Sequence, residues 1–465
     1  MNQDFLVGAC RAADGSGESR ELRLPAHHFT THGVILGMTG SGKTGLILTL
    51  VEEAIRNKVP VLMFDVKGDL PNLLLSFPAL SADDFLPWID DEAARRAGKN
   101  AAEVAMETAA RWRAGLQRYD LGPDDVAAFA KCVAPRVITP GTHAGEMLHV
   151  LSALEIPSPL WSIDVEAARE SLAASISLLL RLVGRDPDPT KSRDHVLLSV
   201  FAERRLRAGE KADVAALLSD LVEPPLESIG AMAVDDYLSK RERHALATAL
   251  NTLLASPTFE AWRQGVPLDV GAWLAPREDG RTPAVIVSVA HLDQDSREMV
   301  LGVVLEELLA WVRTQKGTSD LRALVVFDEV YGYLPPHPHN PPTKRPLVEL
   351  MKQARAFGVG LLVATQNPMD VDYRALSNAG LWFVGRLQTD ADRERVLEGL
   401  LGSEGAVDID AETLGARVKQ LAPRWFVLRD VHREPSVVLA SSRTTMCWLR
   451  GPMTRAEIRG VLARR

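Results

Sequence analysis

Eight residues, Gly37-Met-Thr-Gly-Ser-Gly42-Lys43-Thr44, constrain this chain more than any other feature, because they match G-x-x-x-x-G-K-[ST] without a departure. The pattern acquires meaning only where a strand delivers the loop and a helix opens at its end. Both flanks read that way. GVILG (33–37) is a short apolar run, and in LILTLVEEAIR the apolar residues recur at helical spacing. Glycines let the backbone bend so that successive N–H groups point at phosphate oxygens, and the helix N-terminus adds a favourable dipole. Gly37, Thr39, Gly40, Ser41, Gly42, Lys43, Thr44 and Gly45 are therefore the expected cradle of a nucleotide. Lys43 would neutralise the β- and γ-phosphates, and Thr44 would offer its hydroxyl to Mg2+.

The next run, VPVLMFD (59–65), has the bulky apolar residues of a buried parallel strand and completes a βαβ unit. From about Leu70 to Arg281 the texture turns to Ala, Leu and charged residues with helical periodicity. Proline breaks it at DPDP (186–189) and EPP (223–225), and one short strand is expected at RVITP (136–140). Then βα alternation returns through AVIVSVA (284–290), a long helix, ALVVFDEV (323–330), GVGLLVATQ (358–366), LWFVGRLQ (381–388) and RWFVLRD (424–430). Strands separated by helices imply an α/β fold with a doubly wound, mainly parallel sheet and a large helical insertion. The expected partition is 1–90 and 282–465 for the two parts of the core, with 91–281 as the insertion.

Hydrolysis needs a second acidic centre on a neighbouring strand. ALVVFDEV supplies it: Asp328 would bind Mg2+, directly or through water, and Glu329 would polarise the attacking water as general base. Gln366 closes the following strand, where a neutral amide can hydrogen-bond both the γ-phosphate and the water. Arg355, just before that strand, is a candidate arginine finger, since a guanidinium on the transferring phosphoryl offsets its growing charge; Arg386 is the rival candidate.

Bulk charge does not advertise nucleic acid: 53 Lys plus Arg stand against 61 Asp plus Glu, a net charge of −8, so any DNA contact must be local. Candidates are Lys344 and Arg345 in the proline-rich segment 334–346, with His337 and His339 beside them, and a second basic cluster at Lys191 and Arg193. Cys10, Cys132 and Cys447 lie far apart without a CxxC pair, which fits a reducing cytoplasm. No basic-then-apolar leader opens the chain, and no run reaches the ~18 apolar residues of a membrane helix, so no membrane partner is expected. Ser288, His291 and Asp293 crowd one strand end but lack the G-x-S-x-G elbow of a hydrolase triad.

Taken together, GMTGSGKTGL, FDVKGDL (64–70), KQARAFGVG, ATQNP and LSNAG resemble the HerA/FtsK group of P-loop motors, and most closely bacterial HerA-type ATP-binding proteins. The resemblance implies a RecA-like ATPase core that uses ATP and Mg2+. It implies Lys43 and Thr44 on nucleotide and metal, Glu329 activating water, Gln366 as sensor, and Arg355 reaching a neighbouring subunit. Asp65 matches an acidic position used near the active site. The implied assembly is a ring, usually a homohexamer, that pulls double-stranded DNA through its centre. Two departures stand out. HerA proper carries a β-barrel ahead of its P-loop, for which the 36 residues before Gly37 are too few, and Thr31 stands where HerA proteins often have arginine. Docking to a nuclease through such a barrel is thus an open question. The rival reading is a regulatory or scaffold ATPase ring that switches a partner effector protein, as in a phage-defence complex, with DNA only as trigger. A secretion ATPase is disfavoured because no membrane anchor is legible.

Overall fold

The structure, a computed structural model, describes residues 4–156, 158, 160–387, 389–401 and 411–464. Eleven strands form one sheet: β1 (Phe5–Ala12), β2 (Arg20–Leu24), β3 (Gly33–Leu36), β4 (Val61–Asp65), β5 (Val133–Ile138), β6 (Thr282–Ser288), β7 (Ala323–Asp328), β8 (Val359–Thr365), β9 (Leu381–Val384), β10 (Trp425–Asp430) and β11 (Val437–Ser442). Their spatial order is β2-β1-β11-β10-β9-β3-β8-β7-β4-β6-β5. From β9 to β5 every pairing is parallel, and from β2 to β9 every pairing is antiparallel. The mainly parallel α/β sheet expected from the βα alternation is thus present, with an antiparallel wing that the sequence reading did not anticipate.

The central strands GVIL, VLMFD, ALVVFD and VGLLVAT are buried at every position, as strands covered on both faces must be. Alternation sends Val34, Leu36, Leu62 and Phe64 into one core and Ile35, Val61 and Met63 into the other. On the second face lies α1 (Lys43–Arg56), opened by Gly42 in the left-handed conformation. With it pack the helices that precede β5, including α2 (Ala101–Gln117). The helices after β5, among them α3 (Val165–Leu182), pack on the other face against α4 (Gln294–Arg313). Helical segments between Leu70 and Arg281 therefore lie on both faces, and β5 sits at the sheet edge between them. After β7 the chain runs through the proline-rich loop to α5 (Lys344–Gln353) and into β8.

The wing is tied to α1 by a buried ion cluster. Arg443, just past β11, donates to Glu52 Oε2 at 2.8 Å and to Glu53 Oε1 at 2.9 Å, and its Nε reaches the Leu6 carbonyl. Among the described residues no helix is long and apolar enough to cross a membrane.

Candidate nucleotide site

Parallel packing of β3, β7 and β8 brings their C-terminal ends to one edge of the sheet, where the loops can share one site. The loop after β3 bends through Gly37, Gly40 and Gly42, all at positive φ. At Gly42 the requirement is double: φ is +96°, and an added Cβ would come to 3.0 Å of the Arg424 backbone. The loop is braced from outside by Met38 N donating to the Arg386 carbonyl and Arg424 N donating to the Ser41 carbonyl. Lys43 is buried and its ammonium donates to the Gly37 and Met38 carbonyls, directly over the loop. Burial pulls its pKa down to about 8, and Lys67 pushes the same way, while Glu329 and Asp328 oppose them. A phosphate anion at this point would restore full charge to Lys43.

Glu329 follows β7 in the left-handed conformation, φ +68°, which is uncommon for a side chain of this kind and re-aims it off the strand axis. Its Oε1 accepts from Thr365 Oγ1 at 3.0 Å and from Gln366 N at 3.2 Å. Its Oε2 accepts from Gln366 Nε2 at 2.8 Å and from Lys67 Nζ at 2.6 Å. Burial alone would raise the Glu329 pKa, but Lys67 and these donors outweigh it and hold it below the ordinary value. Gln366 in turn accepts from Thr39 Oγ1 at 2.5 Å. The glycine loop, Gln366 and Glu329 are therefore one hydrogen-bonded chain. Lys67, which the sequence reading passed over inside FDVKGDL, is its fourth member; a lysine two residues beyond a buried strand was the available signal.

Asp328 ends β7 beside Asp65 of β4 and is buried. Burial first, then the neighbouring Asp65 and Glu329 charges, raise its pKa to about 7 against the pull of Lys67. Among the described residues its Oδ2 has no hydrogen-bond partner. A buried carboxylate oxygen without a donor is what a bound cation satisfies, so Asp328 with the Thr44 hydroxyl fits Mg2+. Among the described residues no group of three or more His, Cys, Asp or Glu could hold a metal, so an ion here would take most ligands from phosphate and water. Asp65, the acidic position that the resemblance puts near the active site, is the register partner of Asp328. It is fully buried; Oδ2 accepts from Ser288 Oγ at 2.7 Å and Oδ1 from Gly68 N at 2.8 Å. These donors engage its carboxylate, so Asp65 shapes the loop that carries Lys67. The same bond explains Ser288, whose hydroxyl serves Asp65 and no triad.

Arg355 is not in this cluster. It is exposed in the turn that precedes β8, at the end of that strand away from Gln366, and the strand's seven residues alone span about 23 Å. Its neighbours are His32 and His432, whose pKa values it helps to lower. Arg386 does lie at the phosphate loop, with Nε 3.3 Å from Met38 Sδ. The basic candidates for DNA are engaged within the chain: Lys344 with Asp372, Arg345 with Glu170 and Glu306, Lys191 with Asp188, and Arg193 with Glu242. His337 and His339 are exposed.

Residues 16–131 match the family model described as the central domain of helicase HerA. Among solved structures, the bacterial conjugative coupling protein TrwB aligns with a TM-score of 0.51 at 11% identity, covering 98% of this chain and 92% of that one. VirB4 of Thermoanaerobacter pseudethanolicus aligns at 0.50 and 14% identity, covering 96% and 97%. TrwB in complex with ADP and Mg2+ aligns at 0.51 and 12% identity, covering 97% of each chain. No curated protein sequence matches. The resemblance to HerA/FtsK-type P-loop proteins and the RecA-like P-loop fold, both read from the sequence, are borne out.

Proposed function

From a chain with a HerA-type central domain on a P-loop fold, we propose that this protein is an ATP-hydrolysing ring motor, a DNA translocase or helicase-like enzyme working as a homohexamer. The observation that carries the enzymatic part is the convergence of Glu329, Gln366 and the phosphate loop in one hydrogen-bonded chain. Lys43 and the loop N–H groups bind the triphosphate, and Thr44 with Asp328 hold Mg2+, which neutralises charge on the phosphate oxygens. Glu329 takes the proton of the attacking water, and Gln366, bonded to both Glu329 and Thr39, orients that water. Support for nucleotide and metal comes from the TrwB complex with ADP and Mg2+, and for DNA from the helicase description of the matched domain.

The test is release of inorganic phosphate from ATP and Mg2+, with and without double-stranded DNA. A motor gives hydrolysis raised several-fold by DNA and DNA binding that falls steeply with salt. Absence of phosphate release under every magnesium-containing condition overturns the enzymatic reading. A second reading, a ring that organises or switches a partner effector, is favoured by the pairing of Lys191, Arg193, Lys344 and Arg345 with carboxylates of the same chain. Hydrolysis indifferent to DNA and stimulated by a partner protein would select it.

A further inference from the structure

Lys67 is a charged group of the site that nucleotide binding and water activation, as described, leave without a task. Its ammonium lies 2.6 Å from Glu329 Oε2, the oxygen that also accepts from Gln366. The loop beneath it is fixed: buried Asp65 takes the Gly68 N–H, and Gly68 turns at φ +90°. The side chain itself remains about one-third exposed, so it can change partner without moving the backbone. Lys67 is also close enough to Lys43 for the two ammonium groups to repel. Two cations and the carboxylates of Asp328 and Glu329 thus surround one point.

A carboxylate oxygen already holding an ammonium and an amide is a poor acceptor for a water proton. A general base must also lie beside the terminal phosphate, so an ammonium bonded to that base is aimed at the terminal phosphate more than at the other two. We propose that Lys67 is a second phosphate-binding lysine that exchanges partners, leaving Glu329 Oε2 for the terminal phosphate of a bound triphosphate and so freeing the base only when cleavable nucleotide is present. The exchange breaks one ion pair and makes another, with no covalent step. It rests on the reading of Gly37–Thr44 as a triphosphate site.

Equilibrium binding of AMP-PNP and of ADP, each with Mg2+, to the full chain tests it. Lys67→Ala should weaken AMP-PNP by about tenfold or more and leave ADP within about twofold, so ADP affinity also reports that the variant is folded. Glu329→Gln removes the competing charge and should tighten AMP-PNP several-fold, a gain that vanishes in the Lys67→Ala/Glu329→Gln double variant. Lys67→Arg should recover most of the lost affinity. Equal loss of AMP-PNP and ADP on Lys67→Ala, or a Glu329→Gln gain that persists without Lys67, overturns the exchange while leaving the nucleotide site intact. Wild-type protein that binds neither nucleotide overturns the site and the exchange together.

Discussion

In the proposed function Lys43 and Glu329 do different work, so replacing each should separate binding from chemistry. Lys43→Ala removes a charge-assisted contact to phosphate and should weaken triphosphate binding by about tenfold to a hundredfold, read by titration with AMP-PNP. Glu329→Gln keeps the shape of the side chain and one of its two acceptor oxygens but cannot take a proton. It should retain binding and lower phosphate release by about 10²–10⁴-fold. If both variants lose only binding, Glu329 is not the base. At this scale the sequence singled out residues at fixed offsets from a glycine loop or a strand end, and the fold brings Lys43, Asp328, Glu329 and Gln366 of that set together. It was uninformative where the decisive fact is a hydrogen-bond direction. Asp65 and Lys67 are two residues apart, yet one turns inward to Ser288 and Gly68 and the other crosses to Glu329.

Elements hold the site through contacts that no local pattern announces. The Glu52–Glu53 pair is one such case: both carboxylates are buried and bound by Arg443, Leu6 N and Cys447 N. The partner is some 390 residues distant in sequence, beyond the reach of periodicity. Because Arg443→Ala would leave buried Glu52 without its cation and Glu53 with Arg56 alone, it should cost about 3–5 kcal/mol in chemical denaturation and loosen the helix that presents Lys43. A double change to apolar residues of similar volume should recover part of that loss. The β3–β8 pairing offers a pH test. His32 is buried just before β3 and its Nδ1 accepts from Leu361 N at 3.1 Å. Burial first, and Arg355 second, hold its pKa at about 4. An unfolded chain protonates this imidazole near pH 6.5, so between these values the unfolded state binds more protons. The stability His32 supplies is therefore whole above about pH 6.5 and is lost as pH falls toward about 4. Thermal unfolding should show that slope, and His32→Gln, which keeps an acceptor without titrating, should flatten it.

The whole molecule poses the question that one chain answers only in part, because Arg355 precedes β8 while Glu329 follows its neighbour β7, so they stand at opposite ends of adjacent parallel strands. A finger so far from its own phosphate loop can act on hydrolysis only by meeting the loop of a neighbouring copy, which is the heterologous contact that closes rings. Arg386, lying at the loop of its own chain, requires no neighbour. Subunit mixing separates the two. Arg355→Ala subunits keep an intact base and loop but offer no finger, while Glu329→Gln subunits offer the finger and lack the base, so each alone should be nearly inactive. In a ring assembled at random from equal parts, about a quarter of the interfaces pair an intact base with an intact finger, and phosphate release should recover accordingly. Recovery should track the product of the two mole fractions, peaking at equal mixing. Activity that stays at the level of the separate variants at every ratio would remove Arg355 from the site. Should Arg386→Ala then prove inactive and equally beyond rescue by Glu329→Gln subunits, the finger would lie within the chain, and hydrolysis would not need to be passed from one subunit to the next.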